Sequence, residues 1–246
     1  MGGYGARSLY GGAKAGPLTT FFSDSLGAGD AQNGYDTSFL LVMINSTSPF
    51  SSPIGWAQWN FGINLSDGHK GAQSSLTGVG NPTYLIYTGV IPYPVVKGMY
   101  PSNQQFVQAT LTSPSAPQGS GFFIMGDFDS TLYGTGGQNF NGYYLRYDAS
   151  TSTGSLYRSN TGTVGLTQLL TALSLGSGNV IRLSADASKA SQTVVTITKA
   201  GTVLAQYTDI SANRLNQGFA GLMSDNPVQS IATPVGFHDF SCGVGL

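Results

Sequence analysis

The sequence predicts an all-β protein, two antiparallel sheets packed as a sandwich and preceded by an irregular arm. Short apolar and aromatic runs separated by Gly/Ser/Thr-rich linkers recur along most of its 246 residues. Within the runs the pattern has period two: Tyr143, Leu145 and Tyr147 fall on one face, Tyr144 and Arg146 on the other, the mark of an antiparallel strand with one buried face. No stretch carries a sustained helical period, and many strands without helices close on themselves as a sandwich.

Residues 1–17 hold six glycines and no apolar period, so they cannot build a core and form an arm. Tyr4, Leu9 and Tyr10 are its candidate docking anchors. Residues 18–246 make the sandwich. Leu18–Phe22 is a first short strand, and Phe39–Ile44 is an apolar run too short to favour a helix. Trp56–Ile63 and Tyr84–Tyr87 follow as strands. Residues 88–101 are apolar yet broken by Pro92, Pro94 and Pro101, which excludes a central strand. An apolar loop of this kind suits a subunit contact, with Tyr93, Val95, Met99 and Tyr100 as its docking candidates.

From Gln105 the strands become regular. Val107, Ala109 and Leu111 share a face, and Gly121–Met125, Tyr143–Tyr147 and Leu156–Arg158 come next. Val164–Leu175 leaves helix and strand both open, because Leu166, Leu169, Leu170 and Leu173 have helical spacing among threonines and glycines. Val180–Ala185 alternates. Thr193–Thr198 and Thr202–Tyr207 flank Lys199-Ala200-Gly201, a hairpin with Gly201 at the positive-φ position. Phe219–Met223 and Phe237–Cys242 close the chain, for twelve to fourteen strands in all.

Composition narrows the function. Charged residues make up 9% of the chain, the net charge is −1, and the basic residues stand singly, which excludes the basic footprint of a nucleic-acid binder. No apolar run reaches the roughly 18 residues of a membrane span. The first residues lack a basic segment followed by an apolar one, so no secretion signal is expected and folding in a host cytoplasm is. Cys242 is the single cysteine, so no intrachain disulfide forms.

Phe106–Leu111, Gly142–Tyr147, Leu156–Arg158 and Val180–Leu183 resemble, in order and spacing, the strands of concanavalin A-like, laminin-G-type jelly rolls. So do Val194–Thr198, Gly201–Ala205, Asp209, Gly218–Leu222 and the closing Phe237-His238-Asp239-Phe240. Phe22–Gly27 is similar to the opening strand of those domains, while residues 27–103 depart from their pattern. The resemblance implies a concanavalin A-like sandwich, a fold used by glycan binders, by some glycan hydrolases and by components of bacteriophage tails and capsids.

A glycoside hydrolase needs two carboxylates roughly 5–10 Å apart. The hydrolases of this fold supply glutamates, and this chain has none: all eleven acids are aspartates. Asp127 and Asp129 are the only close acidic pair on a strand-like run, and with Asn139 and Asn141 they make a weak calcium candidate. No other cofactor or metal is expected. His69 lies in a polar turn, His238 beside Asp239 in the last strand as a residue bonded to a neighbour, and with Cys242 far away no zinc site is expected. For glycan stacking the candidates are Trp56, Trp59 and Tyr133, with Tyr100 and Tyr143 as further aromatics.

These readings point to a non-enzymatic structural or attachment protein of a virus particle, a bacteriophage capsid decoration or a tail or fibre component. It is expected to dock through its arm onto other virion subunits and onto itself as a homo-oligomer, without nucleic acid or membrane insertion. The alternative is a lectin-like module that recognises a cell-surface polysaccharide.

Overall fold

The computed structural model describes residues 19–26, 39–43, 59–74, 83–87, 103–112, 119–127, 141–148, 150–159, 166–225 and 235–245. These contain fifteen strands in two antiparallel sheets and no helix. Sheet I runs β13 (Thr202–Asp209), β12 (Thr193–Lys199), β11 (Asn179–Asp186), β6 (Gln104–Thr112), β15 (Gly236–Val244), β4 (Lys70–Ser74), β3 (Trp59–Asn64), and β1 (Thr19–Asp24) also pairs with β15. Sheet II runs β10 (Leu166–Ser174), β9 (Thr153–Ser159), β8 (Asn141–Asp148), β7 (Gly119–Asp127), β14 (Phe219–Asp225), β5 (Thr83–Tyr87), β2 (Phe39–Met43).

The alternation seen in the sequence sets which side chains meet between the sheets. Val107, Ala109 and Leu111 of β6 pair with Leu183, Ile181 and Asn179 of β11, and Phe122 of β7 pairs with Leu145 of β8. Phe122 meets Phe237 of β15 edge-on across the sandwich, ring centroids 5.5 Å apart, a favoured aromatic geometry. Burying each such side chain contributes about 1.5–3 kcal/mol. One polar residue also crosses the core. Gln105 of β6 donates Nε2–H to the Gly218 carbonyl at 2.8 Å and accepts from the Met125 amide. It thereby satisfies backbone groups beside two bulges, where Gly218 holds φ +144 and an added Cβ would strike the Gly126 carbonyl at 2.4 Å.

Two sequence expectations change, and one open choice is decided. Tyr144 and Phe123 are cross-strand partners on the face of sheet II opposite Phe122 and Leu145, and both are fully buried. Sheet II thus has apolar side chains buried on both faces, not on one. Residues 166–174 form strand β10, not a helix. The leucines with helical spacing sit on an edge strand whose register shifts twice, and Ala172 adopts φ 57. The bulges break the period of two and leave it resembling 3.6. Finally, β4 brings the total above the twelve to fourteen expected. Lys70-Gly71-Ala72-Gln73-Ser74 has little intrinsic strand preference and exists as the hairpin partner of β3. Strands β2 to β5 take places in both sheets.

Candidate functional site

The most unusual polar cluster is built where β15 changes partner. Its first residues, Gly236 and Phe237, pair with β4; from Phe240 onward it pairs with β1. Between them the register against β6 shifts, and Asp239 takes φ 52. Such a bulge re-aims side chains, and a non-glycine residue held at positive φ stores strain. The neighbouring β3–β4 turn carries Asp67-Gly68, a strong hairpin signal, with Gly68 at φ 86. The turn is closed by Leu65 N–H to the His69 carbonyl at 2.8 Å. Gly71 must be glycine for the turn to lie against β15, since a Cβ there would meet the Phe237 carbonyl at 2.3 Å.

Turn and bulge bring four side chains together. His238 is buried and its two ring nitrogens face two carboxylates: Nδ1 lies 2.7 Å from Asp239 Oδ2, and Nε2 lies 3.0 Å from Asp67 Oδ2. The exposed His69 ring stacks on His238, centroids 4.5 Å apart and planes 17° from parallel. Its Nδ1 is 3.4 Å from the same Asp67 Oδ2. The His69 amide donates to Asp67 Oδ1 at 3.1 Å, so the carboxylate is held by backbone on one oxygen and faces imidazoles with the other. Partial burial works to raise the Asp67 pKa, but the His69 amide and His238 outweigh it and hold the carboxyl below its ordinary value. One donor atom from each of Asp67, His69 and His238 falls within 4.8 Å of the others.

The same outer face of sheet I continues the polar strip. His238 pairs with Thr110, and two residues along β6 the Gln108 side chain accepts from Arg182 Nε at 2.9 Å. The guanidinium lies 5.0 Å over the Phe106 ring, a cation–π contact. Among the described residues Gln108 is the one hydrogen-bond partner recorded for Arg182, and the bond uses Nε.

A second polar cluster lies inside the sandwich. Asp209, 1% exposed, accepts from Tyr143 Oη at 2.8 Å and from Arg158 at 2.6 Å. Ser211 donates its amide at 2.9 Å, and its hydroxyl takes a further Arg158 N–H. Burial works to raise the Asp209 pKa, but the bonds from Arg158, Ser211 and Tyr143 outweigh it and hold the carboxyl below its ordinary value. Burial first, and then the bond to Asp209, push the Tyr143 phenol above its ordinary range. Arg158 and Tyr143 belong to sheet II and Asp209 to sheet I, so the cluster bolts the two sheets together.

These positions revise the expected sites. Tyr143 is fully buried and bonded to Asp209, which removes it as a glycan-stacking surface. Cys242 is buried in the core beside Val107. His238 is bonded to its neighbour Asp239 as expected, and also to Asp67. The polar turn and the last strand bring His69 and His238 together as a stacked pair, a meeting that neither segment signals by itself. Of the calcium candidates, Asp127 and Asn141 are cross-strand backbone partners on β7 and β8; Asp129 and Asn139 lie outside the described residues. So do Tyr4, Leu9, Tyr10, Trp56, Tyr93, Val95, Met99, Tyr100 and Tyr133, while Trp59 is placed as the first residue of β3. Among the described residues the recorded side-chain partners of the two histidines are Asp67 and Asp239, not a hydroxyl or thiol.

No family model matches the chain, and no curated protein matches it in sequence. Solved structures do match. A protein of unknown function with a galectin-like fold from Bacillus subtilis is 14% identical, with a TM-score of 0.58 over 94% of this chain and 97% of that one. The carbohydrate recognition domain of Emp46p is 14% identical in a mutant form, with a TM-score of 0.52 over 93% of this chain and 99% of that one. Its metal-free form is 13% identical, with a TM-score of 0.50 over 92% and 97%. The architecture is therefore that of the galectin-like and lectin-like jelly rolls, in line with the concanavalin A-like sandwich that the resemblance implied.

Proposed function

We propose that the chain is a non-catalytic carbohydrate-binding module whose ligand lies on the outer face of sheet I, across Gln108, Arg182 and Asp67. The observation that carries this reading is the Arg182 latch. Its Nε is bonded to Gln108 and its plane is set over Phe106, so its remaining donors are pre-positioned on a rigid sheet. Sugar hydroxyls both donate and accept, and a site that leaves a buried polar group unpaired loses about 1–3 kcal/mol per group. A guanidinium and a glutamine amide supplying donors, beside Asp67 and Asp239 supplying acceptors, answer that need. The shared fold with the Emp46p carbohydrate recognition domain supports the same class of ligand. A glycan array probed with the full chain tests it. Binding that disappears in Arg182→Ala and persists in Lys189→Ala, an exposed position at the β11–β12 turn, is the expected result. An array without any bound glycan contradicts it.

The setting that fits the sequence is a virus particle, with residues 1–17 and 88–101 docking onto neighbouring subunits by strand addition or apolar contact. What supports it is the low charge and the glycine-rich arm, since small side chains let a backbone lie flat against another sheet. Light scattering of the full chain beside a chain starting at Pro17 is the test. A multimer that becomes a monomer without the arm is expected; equal masses contradict the docking role.

A further inference from the structure

We infer that Asp67, His69 and His238 form a binding site for a divalent transition-metal ion of the zinc type. The geometry of His238 carries the argument. A neutral imidazole has one N–H and so can donate to only one carboxylate. Asp239 makes the shorter contact, 2.7 Å at Nδ1. The Nε2 lone pair then faces the anionic Asp67 Oδ2 at 3.0 Å. Two acceptors that close repel unless a cation lies between them. A lone proton would join His238 to Asp67 and give His69 no part. Yet the His69 Nδ1 converges on the same oxygen at 3.4 Å.

Three donors around one point are the arrangement of a metal. Zinc bonds of about 2.0–2.1 Å to nitrogen and oxygen in a tetrahedron place neighbouring ligand atoms about 3.4 Å apart. The 3.4 Å separation matches that edge and the 3.0 Å one is a little shorter, and all three donor atoms lie within 4.8 Å of one another. His69 is the exposed member, and its ring would turn out of its stack on His238 to point its nitrogen at the ion. Two imidazoles and one carboxylate select zinc and its neighbours over calcium or magnesium, which demand oxygen.

The surrounding groups serve the same end. Metal-bound histidines hand their second nitrogen to a carboxylate, which fixes the ring and raises its basicity; Asp239 occupies that position on His238, aimed there by its positive-φ bulge. The His69 amide holds the far oxygen of Asp67. Three protein ligands leave a fourth position for water or a ligand oxygen, and the exposed His69 side gives the ion a way in.

The test uses the full chain stripped with a chelator, then titrated with zinc against a chromophoric chelator, and separately with cobalt(II). One zinc per chain is expected, with the strong visible absorption of tetrahedral cobalt. His69→Ala and Asp67→Asn should each lower zinc affinity by at least about 10–100-fold and abolish the cobalt spectrum while circular dichroism stays unchanged. Asp239→Asn should lower affinity by about 10–100-fold with the cobalt spectrum retained. No stoichiometric zinc uptake, or wild-type affinity in His69→Ala or Asp67→Asn, overturns the site; wild-type affinity in Asp239→Asn overturns the positioning role of Asp239. None of these readouts involves a glycan, so the site stands or falls apart from the carbohydrate reading.

Discussion

Asp209 and Asp67 are both aspartates bonded to basic side chains from distant strands, and their surroundings make them opposites. Asp209 is sealed between the sheets, and each neighbour that bonds it is a donor: a phenol, a guanidinium and an amide. Asp67 stands at a turn on the outer face, and it shares one imidazole with a second carboxylate. A charge sealed among matching donors stabilises a fold and has nothing left to offer a ligand. A charge at the surface with surplus acceptors around it contributes little to the fold and much to recognition. The difference separates a structural bolt from a candidate site within one molecule.

That contrast is open to breaking, most forcefully at the bolt. Asp209→Ala leaves the Arg158 guanidinium, 12% exposed, without its anion, and should cost about 3–5 kcal/mol in urea denaturation, since removing one partner of a buried pair strands the other. A loss below about 1 kcal/mol would make the bolt no different from a surface pair.

Within strand β8 the comparison sharpens. Tyr143 and Tyr147 share a face and are both fully buried, but Tyr143 reaches a carboxylate, while the Tyr147 hydroxyl has no hydrogen-bond partner among the described residues. Tyr143→Phe should destabilise by about 1.5–3 kcal/mol, the range for a hydrogen bond to a charged group. Tyr147→Phe should be neutral or stabilise by up to about 1 kcal/mol, because it removes a buried group that satisfies nothing. Equal losses in the two would erase the distinction.

The pH dependence has a definite sign. The Asp209 carboxyl titrates lower in the folded chain than in the unfolded one, so its contribution is complete above the unfolded value of about 3.9 and drains away as pH falls through the folded one. Between neutral pH and about 5 this contribution is flat. Denaturation midpoints should fall more steeply below about pH 4 in the wild type than in Asp209→Ala. A smaller effect belongs to the outer face: Asp67→Asn keeps the shape and an acceptor oxygen toward the buried His238, and should cost about 0.5–1.5 kcal/mol in the same assay, the net worth of one hydrogen bond.

How far the sequence revealed this structure follows from the range of the interactions involved. Strand β8 and the hairpin of β12 and β13 were legible because alternation and a Lys-Ala-Gly turn are local signals. Strand β10 was not, because its bulges come from edge pairing with β9. The two halves of the outer cluster were each visible: Asp67-Gly68-His69 as a polar turn, His238-Asp239 as a dipeptide in the last strand. Their meeting spans 171 residues and depends on β15 pairing with β4, a strand of low intrinsic preference. The signal that could have joined them was the Asp-x-His spacing in the turn set against the His-Asp pair, two fragments of one ligand set. Tyr143 and Asp209 escaped for the same reason, since neither neighbourhood carries its partner.

The claim that the outer face of sheet I binds carbohydrate is tested most directly by a glycan array probed in parallel with the wild-type chain, Arg182→Ala and Asp209→Ala under conditions where all three remain folded. Wild type and Asp209→Ala are expected to bind the same glycans, and Arg182→Ala none of them. Glycan binding that survives Arg182→Ala unchanged would contradict it.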